Sequence, residues 1–214
     1  MKAIYEIFRV IGTVTGYPFN WIFFKRKIFY ENKKSQGRYI KGGAVVISNH
    51  YNPLDYVSNV FVTFPRKLNV VASEDAFRNR FMSFGMRFWG GIMADRRTYS
   101  LKFVDISASV AKKGQLVQIF PEGHNTPDGE IKSFYPSYIL IAIKAGVPIV
   151  PIISDGRYSF FKRLHLMIGE KIYVSDYLDV NNYTRDDVYR VNEIIRNKVL
   201  ELKAELDRKA GNVK

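Results

Sequence analysis

The chain contains no cysteine and only three histidines among its 214 residues. The absence of cysteine excludes disulfide bonds, thiolate zinc sites and a cysteine nucleophile. With only three histidines, a metal site built from histidine ligands is also not expected. The composition, 47% hydrophobic and 25% charged, is nevertheless that of a globular protein. A chain of this length can bury roughly 70% of the surface of its unfolded form, so a core can form without cross-links.

Long apolar runs are also missing from the N-terminal region. Its longest uncharged run, residues 10–24, is interrupted by two glycines, a proline and an asparagine. A membrane-spanning helix needs about 20 predominantly apolar residues. The basic sequence Lys25-Arg26-Lys27 follows this run in place of a small-residue cleavage site, which argues against a signal peptide. The sequence therefore predicts neither a spanning helix nor a signal peptide here.

Positive charge and aromatic side chains are concentrated in the same segment. The formal net charge is +13, which predicts a polyanionic partner, and nine basic residues against two acidic ones lie in residues 1–41. The aromatic residues among the first thirty are Tyr5, Phe8, Tyr17, Phe19, Trp21, Phe23, Phe24, Phe29 and Tyr30. Aromatic rings beside cations are typical of segments that lie in a membrane interface. We therefore expect residues 1–41 to form a membrane-interfacial helical segment and residues 42–214 to form the main domain.

Two other interpretations of this segment stay open. An amphipathic helix packed on its own domain would show a similar pattern. Aromatic and basic residues together can also bind single-stranded nucleic acid by stacking and charge.

Short apolar runs alternate with helical patterns after residue 42. The predicted strands cover residues 44–48, 68–72, 91–94, 115–120 and 147–153, and the predicted helices cover residues 54–64, 75–89, 100–113 and 137–145. The strand runs are apolar throughout, which is typical of strands buried on both faces. The pattern predicts an α/β domain with a mostly parallel sheet flanked by helices.

The end of the chain contains shorter signals. Residues 164–168 and 171–174 flank Gly169 and predict a short hairpin or two edge strands. A capping-box-like start at Thr184 precedes apolar residues at helical spacing, which predicts a C-terminal helix.

A polar loop follows the first predicted strand. Asn52 and Pro53 suit the N-cap and first position of the next helix, and α/β sheets place their sites at strand ends. His50 precedes this helix and Asp55 lies in its first turn. The carboxylate is therefore close enough to hold one imidazole nitrogen and leave the other as a general base. This spacing alone is weak, since a loop histidine is more often a surface or capping residue.

Three more fragments follow predicted strands. Pro121-Glu122-Gly123 places a carboxylate beside exposed backbone N–H groups, although it is also a common turn. Arg96 and Arg97 suit bidentate phosphate binding, although single arginines are more often solvated surface residues. The prolines of Val147-Pro148-Ile149-Val150-Pro151 limit ladder pairing and predict a sheet edge or a shaped wall.

These blocks, in this order, resemble the motifs of the glycerolipid acyltransferase family, which includes the 1-acyl-glycerol-3-phosphate (lysophosphatidic acid) acyltransferases. The motifs N-H-x-S-x-x-D, G-x-I-x-x-x-R, F-P-E-G-T-R and V-P-I-x-P match residues 49–55, 91–97, 120–125 and 147–151. The resemblance covers about residues 42–175. It implies a glycerolipid acyltransferase-like fold and acyl transfer from acyl-CoA or acyl carrier protein to a lysophospholipid hydroxyl. It implies no cofactor, no metal and no covalent enzyme intermediate.

The resemblance also implies roles for individual residues. His50 takes the proton of the acceptor hydroxyl, and Asp55 fixes the imidazole tautomer. Arg96 holds the acceptor phosphate. Glu122 and Gly123 bind the glycerol portion or shape the turn.

Two departures from the family pattern concern the acceptor phosphate. The family's Thr-Arg is His124-Asn125 here, so a guanidinium that commonly assists with phosphate is missing. The basic residue that often follows the next phenylalanine, Phe134, is replaced by tyrosine. Asn125 and Lys132 are weaker candidates for substrate binding, with Lys132 or Arg97 as a substitute for the lost charge.

The main expectation is a membrane-surface O-acyltransferase of phospholipid biosynthesis. It would convert 1-acyl-sn-glycerol-3-phosphate to phosphatidic acid as a peripheral or monotopic protein on the cytoplasmic face of a membrane. The same chemistry on another lysolipid stays open because of His124 and Asn125. A noncatalytic basic protein that binds anionic lipid or nucleic acid also stays open, although no nucleic acid is expected as a partner of the enzyme.

Overall fold

The computed structural model describes residues 2–23, 25–95, 101–126, 128–158 and 163–211. The helices are α1 (Lys2–Phe23), α2 (Leu54–Thr63), α3 (Arg80–Phe88), α4 (Lys102–Lys112), α5 (Ser137–Ala145) and α6 (Arg185–Ala210). The strands are β1 (Lys27–Tyr30), β2 (Ala44–Ile47), β3 (Leu68–Ser73), β4 (Gly91–Ala94), β5 (Leu116–Ile119), β6 (Ile149–Ser154) and β7 (His165–Ile168). Two short 3-10 helices cover Glu74–Phe77 and Val174–Asp176.

The seven strands form one sheet in the order β1-β7-β6-β2-β5-β3-β4. The strands from β6 to β4 are parallel, whereas β7 is antiparallel to β6 and β1 is parallel to β7. Helices α4, α5 and α6 contribute to the core on one face, and α2 contributes to the core on the other. The predicted α/β fold with a mostly parallel sheet flanked by helices is therefore confirmed.

Burial on both faces explains why the central strand sequences are mostly apolar. In β2, Val45 and Ile47 join the core under α4, α5 and α6, whereas Ala44 and Val46 join the core under α2. All four side chains are fully buried. Successive side chains of a strand point to opposite faces, so a strand covered on both sides is mostly apolar. Gln118 in β5 and Asn69 in β3 are buried polar exceptions.

The chain changes face at the centre of the sheet. The neighbouring strands β2 and β5 end at the same level, because Ile47 pairs with Ile119. The chain after β2 continues into α2 on one face, whereas the chain after β5 continues to α5 on the other. Such a switch point opens a crevice at the carboxyl ends of the strands, where open α/β sheets bind their ligands.

The aromatic and basic N-terminal segment contains both a helix and a strand. Helix α1 contacts α2, and β1 pairs with β7 at one edge of the sheet. The sequence patterns did not reveal β1. None of the helices in the described part of the chain is both long and apolar enough to cross a membrane. The division of the chain at residue 41 stays a prediction.

The expectation of a hairpin or two edge strands near residue 170 was wrong. Residues 165–168 form β7, but β1 covers its outer side, so β7 is not an edge strand. Residues 171–174 form no strand, because Ile172 makes only an isolated bridge to Ile149 and a 3-10 helix begins at Val174. The unrecognised strand β1 accounts for the error at β7.

The prolines of the fourth block do not mark a sheet edge, because β6 lies between β2 and β7. The carbonyl of Pro151 accepts a hydrogen bond from the Gly169 N–H at 2.9 Å, just beyond the end of β7. The N–H and C=O of one strand residue point to the same side, so the missing N–H of Pro151 faces the chain just beyond the end of β7 and not the central strand β2. A side chain at residue 169 would lie 3.2 Å from the Pro151 ring, so the glycine also leaves room for it.

Two helix starts follow their sequence signals. Thr184 and Asp187 form the predicted capping box at the start of α6. The predicted helix over residues 75–89 is instead divided into the 3-10 helix Glu74–Phe77 and α3. Asn79 is the N-cap of α3, since its Oδ1 accepts from the Phe81 N–H at 2.8 Å.

Candidate active site

Loops at the carboxyl ends of β6, β2 and β5 meet at the switch point. Asn49, after β2, donates to the Ser154 carbonyl at 3.0 Å and accepts from the Ser154 N–H at 2.9 Å. Ser48 donates to the Ile152 carbonyl at 2.6 Å. These buried bonds fix the loop after β2 against the end of β6 and so fix the backbone that carries His50.

His50 and Asp55 form the contact that their spacing predicts. His50 Nδ1 lies 3.1 Å from Asp55 Oδ2, which also accepts from the Asn52 N–H at 2.8 Å. Asn52 Oδ1 accepts from the Leu54 N–H at 2.8 Å, and Pro53 has helical φ and ψ just before α2. Because Asp55 Oδ2 only accepts, the proton of neutral His50 lies on Nδ1. The Nε2 atom is then the basic nitrogen.

The second oxygen of Asp55 is held by two hydroxyl groups. Tyr158 donates to Asp55 Oδ1 at 2.6 Å, and Ser154 Oγ lies 3.3 Å from the same oxygen. Burial, followed by the charge of Asp55, raises the pKa of Tyr158 above its usual value. The phenol therefore stays protonated and is a donor. The Asp55 side chain is 1% exposed and has protein partners at both oxygens.

The imidazole plane and the backbone of His50 are fixed separately. The ring stacks on Phe120, with centroids 3.9 Å apart and planes 15° apart. The backbone N–H of His50 donates to Glu122 Oε1 at 3.3 Å, and its carbonyl accepts from the Thr126 N–H at 2.7 Å. The loop after β5 therefore supports His50 from the side opposite to β6.

Glu122 and Gly123 form the turn after β5. Glu122 is fully buried, and its Oε2 accepts from Thr126 Oγ1 at 3.2 Å and from the Lys132 N–H at 3.0 Å. Together with the bond from the His50 N–H, these bonds connect Glu122 to the loop after β2 and to two positions of the loop after β5. Gly123 has φ +74°, a backbone conformation that favours glycine.

The remaining predicted substrate residues lie apart from the dyad or outside the described residues. Lys132 Nζ pairs with Glu130 at 2.6 Å and Asp128 at 3.2 Å, and the hydrogen bonds that it donates to these carboxylates raise the pKa of Lys132. Asn125 is exposed on the turn. Arg96 and its neighbour Arg97 lie outside the described residues.

A cavity of about 540 Å³ opens at the carboxyl ends of β3, β4 and β5 and reaches Phe120, although neither His50 nor Asp55 lines it. Its volume is in the range of small-molecule sites, about 300–1,000 Å³. Phe120, on which His50 stacks, forms one wall together with Pro121 and Gly123. The apolar lining includes Val71, Ala94, Leu101, Phe103, Ile119 and Leu140. No group of three or more acidic or histidine side chains suited to a metal ion occurs in the part of the chain that the structure describes.

The Acyltransferase family model matches residues 18–155 of this chain. The chain belongs to the Acyltransferase family. The match includes the dyad, the turn after β5 and the Ser154 hydroxyl, but it ends before Tyr158. No sequence spacing connects Tyr158 with Asp55, which lies 103 residues earlier, so motif analysis did not find this contact.

Relatives in other organisms agree with this family. A Caenorhabditis elegans protein provisionally named as a 1-acyl-sn-glycerol-3-phosphate acyltransferase is 32% identical over 178 residues, which are 80% of this chain and 62% of that protein. The 1-acyl-sn-glycerol-3-phosphate acyltransferase of Borreliella burgdorferi is 24% identical over 169 residues, 75% of this chain and 66% of that protein. The chain thus spans less than two thirds of the length of both relatives.

A solved Acyltransferase structure has the same fold. The crystal structure of the 1-acyl-sn-glycerophosphate (LPA) acyltransferase PlsC from Thermotoga maritima matches with a TM-score of 0.59 and 21% identity. The match covers 92% of this chain and 78% of the Thermotoga chain.

Proposed function

We propose that this protein is an O-acyltransferase that moves a fatty acyl group from a thioester to the free hydroxyl of a lysophospholipid. The proposed acceptor is 1-acyl-sn-glycerol-3-phosphate, and the product is phosphatidic acid. The observation that carries the proposal is the His50–Asp55 dyad at the switch point of the sheet, where His50 stacks on Phe120 in the wall of an apolar cavity. Family membership and the printed names of the relatives support this reaction.

The dyad supplies base catalysis without a covalent enzyme intermediate. His50 Nε2 takes the proton of the acceptor hydroxyl while its oxygen attacks the thioester carbonyl. The new C–O bond forms, the C–S bond breaks, and the imidazolium returns the proton to the departing thiolate. Asp55 holds Nδ1–H and stabilises the imidazolium by its charge. General base catalysis of this kind contributes about 10²- to 10⁴-fold to the rate.

The apolar cavity favours a fatty acyl chain as the transferred group. Its wall includes Phe120, so a chain in the cavity would end close to the imidazole that stacks on that ring. Acyl-CoA or acyl carrier protein is the proposed donor. Both are co-substrates, and the proposal includes no other cofactor.

Arg96 is the proposed ligand of the acceptor phosphate, by analogy with the second motif of the family. Lys132 is a weaker candidate, because Asp128 and Glu130 already match its charge. If Arg96 binds this phosphate, Arg96→Ala will raise the KM for 1-acyl-sn-glycerol-3-phosphate by about tenfold or more. An unchanged KM would remove Arg96 from the site and favour a lysolipid of different charge.

A membrane surface is the proposed location of the acceptor. Helices α1 and α3 contact each other, and both carry exposed apolar side chains. These side chains are Ile7, Phe8, Val10, Ile11, Val14 and Ile22 on α1 and Phe81 and Phe84 on α3. Arg78, Arg80 and Arg87 are exposed beside the phenylalanines. Apolar side chains next to cations bind a bilayer with anionic lipids. The proposal is therefore a peripheral or monotopic protein, on the cytoplasmic face of the membrane.

Vesicle binding tests this location. The double variant Phe81→Ser/Phe84→Ser should bind vesicles of phosphatidylcholine and phosphatidylglycerol at least about tenfold more weakly, because each phenylalanine stabilises insertion by about 1.5–3 kcal/mol. Ile106→Ser removes an equally apolar, exposed side chain from α4 and serves as the matched control. Equal binding of both variants would exclude α3 from the membrane contact.

Thiol release tests the reaction itself. The donor, either acyl-CoA or acyl carrier protein loaded with a fatty acyl group, would be mixed with vesicles that contain 1-acyl-sn-glycerol-3-phosphate or a neutral lysolipid. Wild type should release thiol only when an acceptor is present, and the preferred lipid identifies the headgroup. No acceptor-dependent release with any pair of substrates would overturn the proposed activity.

A further inference from the structure

A tyrosine beyond the family match completes the support of the dyad. We propose that Tyr158 is a positioning residue that holds Asp55, and through it His50, in the orientation for acyl transfer. This inference rests on the proposed function for its kinetic consequences. The contact itself stands on the geometry of three groups, Tyr158, Ser154 and the Asp55 carboxylate.

The two oxygens of Asp55 are held in different ways. Oδ2 accepts from the Asn52 N–H at 2.8 Å and from His50, and these local bonds depend on the start of α2. Oδ1 has the Tyr158 hydroxyl at 2.6 Å and the Ser154 hydroxyl at 3.3 Å. A hydroxyl bond to a carboxylate at the shorter distance is charge-assisted and strong, whereas the longer contact is weak. Tyr158 is therefore the main support of Oδ1, and with the Asn52 N–H at Oδ2 it opposes rotation of the carboxylate away from His50.

The loop that carries Tyr158 is itself tightly fixed. Asp155 Oδ1 accepts from the backbone N–H groups of Arg157 at 3.2 Å and His165 at 3.1 Å, and its Oδ2 lies 2.7 Å from His165 Nδ1. Gly156 has φ +68°, and a side chain there would lie 2.5 Å from the Tyr51 ring. These contacts hold residues 155–157, so the phenol of Tyr158 reaches Asp55 from a defined position.

The placement of Tyr158 argues for action through Asp55. The side chain is largely buried, and its hydroxyl donates to the carboxylate. A group that orients the base affects the chemical step, whereas a group that binds substrate affects its KM. The inference therefore predicts a loss of kcat with little change of KM.

The first experiment compares two tyrosine variants. Tyr158→Phe should lower kcat by about 10- to 100-fold, the effect of a hydrogen bond to a charged group, and change each KM by no more than about twofold. Tyr56→Phe is the matched control, because this buried hydroxyl donates to the Trp89 carbonyl at 2.7 Å. The control should keep the wild-type kcat. A raised KM with unchanged kcat for Tyr158→Phe would make Tyr158 a substrate contact and overturn the inference.

A double-mutant cycle shows whether Tyr158 acts through Asp55. In an Asp55→Ala background, Tyr158→Phe should have no further effect on kcat, because the group that it positions is absent. Independent, multiplying losses would contradict the inference.

Histidine NMR tests the inference without an activity assay. The chain has three histidines, so His124→Gln and His165→Gln variants assign the ¹⁵N signals of His50. Wild type should show His50 protonated on Nδ1, whereas folded Tyr158→Phe should show a mixture of tautomers and Tyr56→Phe the wild-type signals. Unchanged His50 signals in folded Tyr158→Phe would overturn the inference. If wild type transfers no acyl group, the proposed function fails while this result still decides the positioning role.

Discussion

The chain contains two histidine–aspartate pairs with similar local geometry. His50 Nδ1 lies 3.1 Å from Asp55, and His165 Nδ1 lies 2.7 Å from Asp155. Both carboxylates are 1% exposed, and the imidazoles are 17% and 13% exposed. The contact and its burial therefore do not distinguish a catalytic pair from a structural one.

The surroundings of the two pairs differ in charge and in access. Arg157 Nε lies 3.7 Å from Asp155, whereas His50 is the only ion-pair partner of Asp55 among the described residues. The charge of Asp55 is thus available to stabilise an imidazolium, while a guanidinium shares the charge of Asp155. His50 also stacks on a wall of the apolar cavity.

The position in the fold explains this difference. His50 follows a parallel strand at the switch point, where the sheet opens a crevice. Asp155 and His165 flank the connection between the antiparallel neighbours β6 and β7, and their bonds close that loop. The place in the sheet, and not the geometry of the pair itself, is therefore the reason to propose His50 and Asp55 as the catalytic dyad.

The largest expected effect comes from replacing the carboxylate of each pair by an amide. Asp55→Asn should lower kcat for acyl transfer by about 10²- to 10⁴-fold, because an amide favours the wrong imidazole tautomer. Asp155→Asn makes the same chemical change at the other pair. Its amide oxygen can still accept from the Arg157 and His165 N–H groups that hold the segment with Tyr158, so the folded enzyme should keep kcat to about threefold. Steady-state thiol release measures both, and equal losses would show that the second pair also takes part in the reaction.

A smaller effect concerns stability. His165→Ala should lower the free energy of unfolding by about 1–3 kcal/mol, because the buried carboxylate of Asp155 loses its imidazole partner at 2.7 Å and keeps only the more distant Arg157 side chain. Urea denaturation measures this change, with His124→Ala, at an exposed turn position, as the control. A stability equal to that of the control would argue against a structural role for the second pair.

The smallest effect concerns the weaker of the two hydroxyl partners of Asp55 Oδ1. Ser154→Ala removes the hydroxyl at 3.3 Å and leaves the Tyr158 bond in place. We expect kcat to fall by no more than about threefold. A loss larger than that of Tyr158→Phe, measured in the same assay, would make Ser154 the main support of Asp55.

The sequence predicted the parts of this site that depend on local spacing. His50 and Asp55 are five residues apart across a helix start, so Asn52 and Pro53 suffice to bring them together. Apolar runs followed by polar residues also located the strand ends that form the crevice. The catalytic role of the dyad stays a prediction.

Contacts between distant segments were not predictable from one sequence. Tyr158 reaches Asp55 across 103 residues, and the contact exists only because β6 and β2 are neighbours in the sheet. The partners of Glu122 likewise come from separate loops, after β2 and beyond the turn. Strand β1 was missed because its four residues are hidden in a segment whose aromatic and basic composition suggested a membrane interface.

The most direct test compares the two histidines in one assay. Acceptor-dependent thiol release would be measured at saturating donor and lysolipid for wild type, His50→Ala and His165→Ala, each shown to be folded by circular dichroism. The account predicts a loss of about 10²- to 10⁴-fold for His50→Ala. It predicts near wild-type turnover for His165→Ala, because the backbone N–H bonds to Asp155 Oδ1 that hold the segment with Tyr158 remain. Turnover retained by folded His50→Ala would contradict the assignment of the dyad.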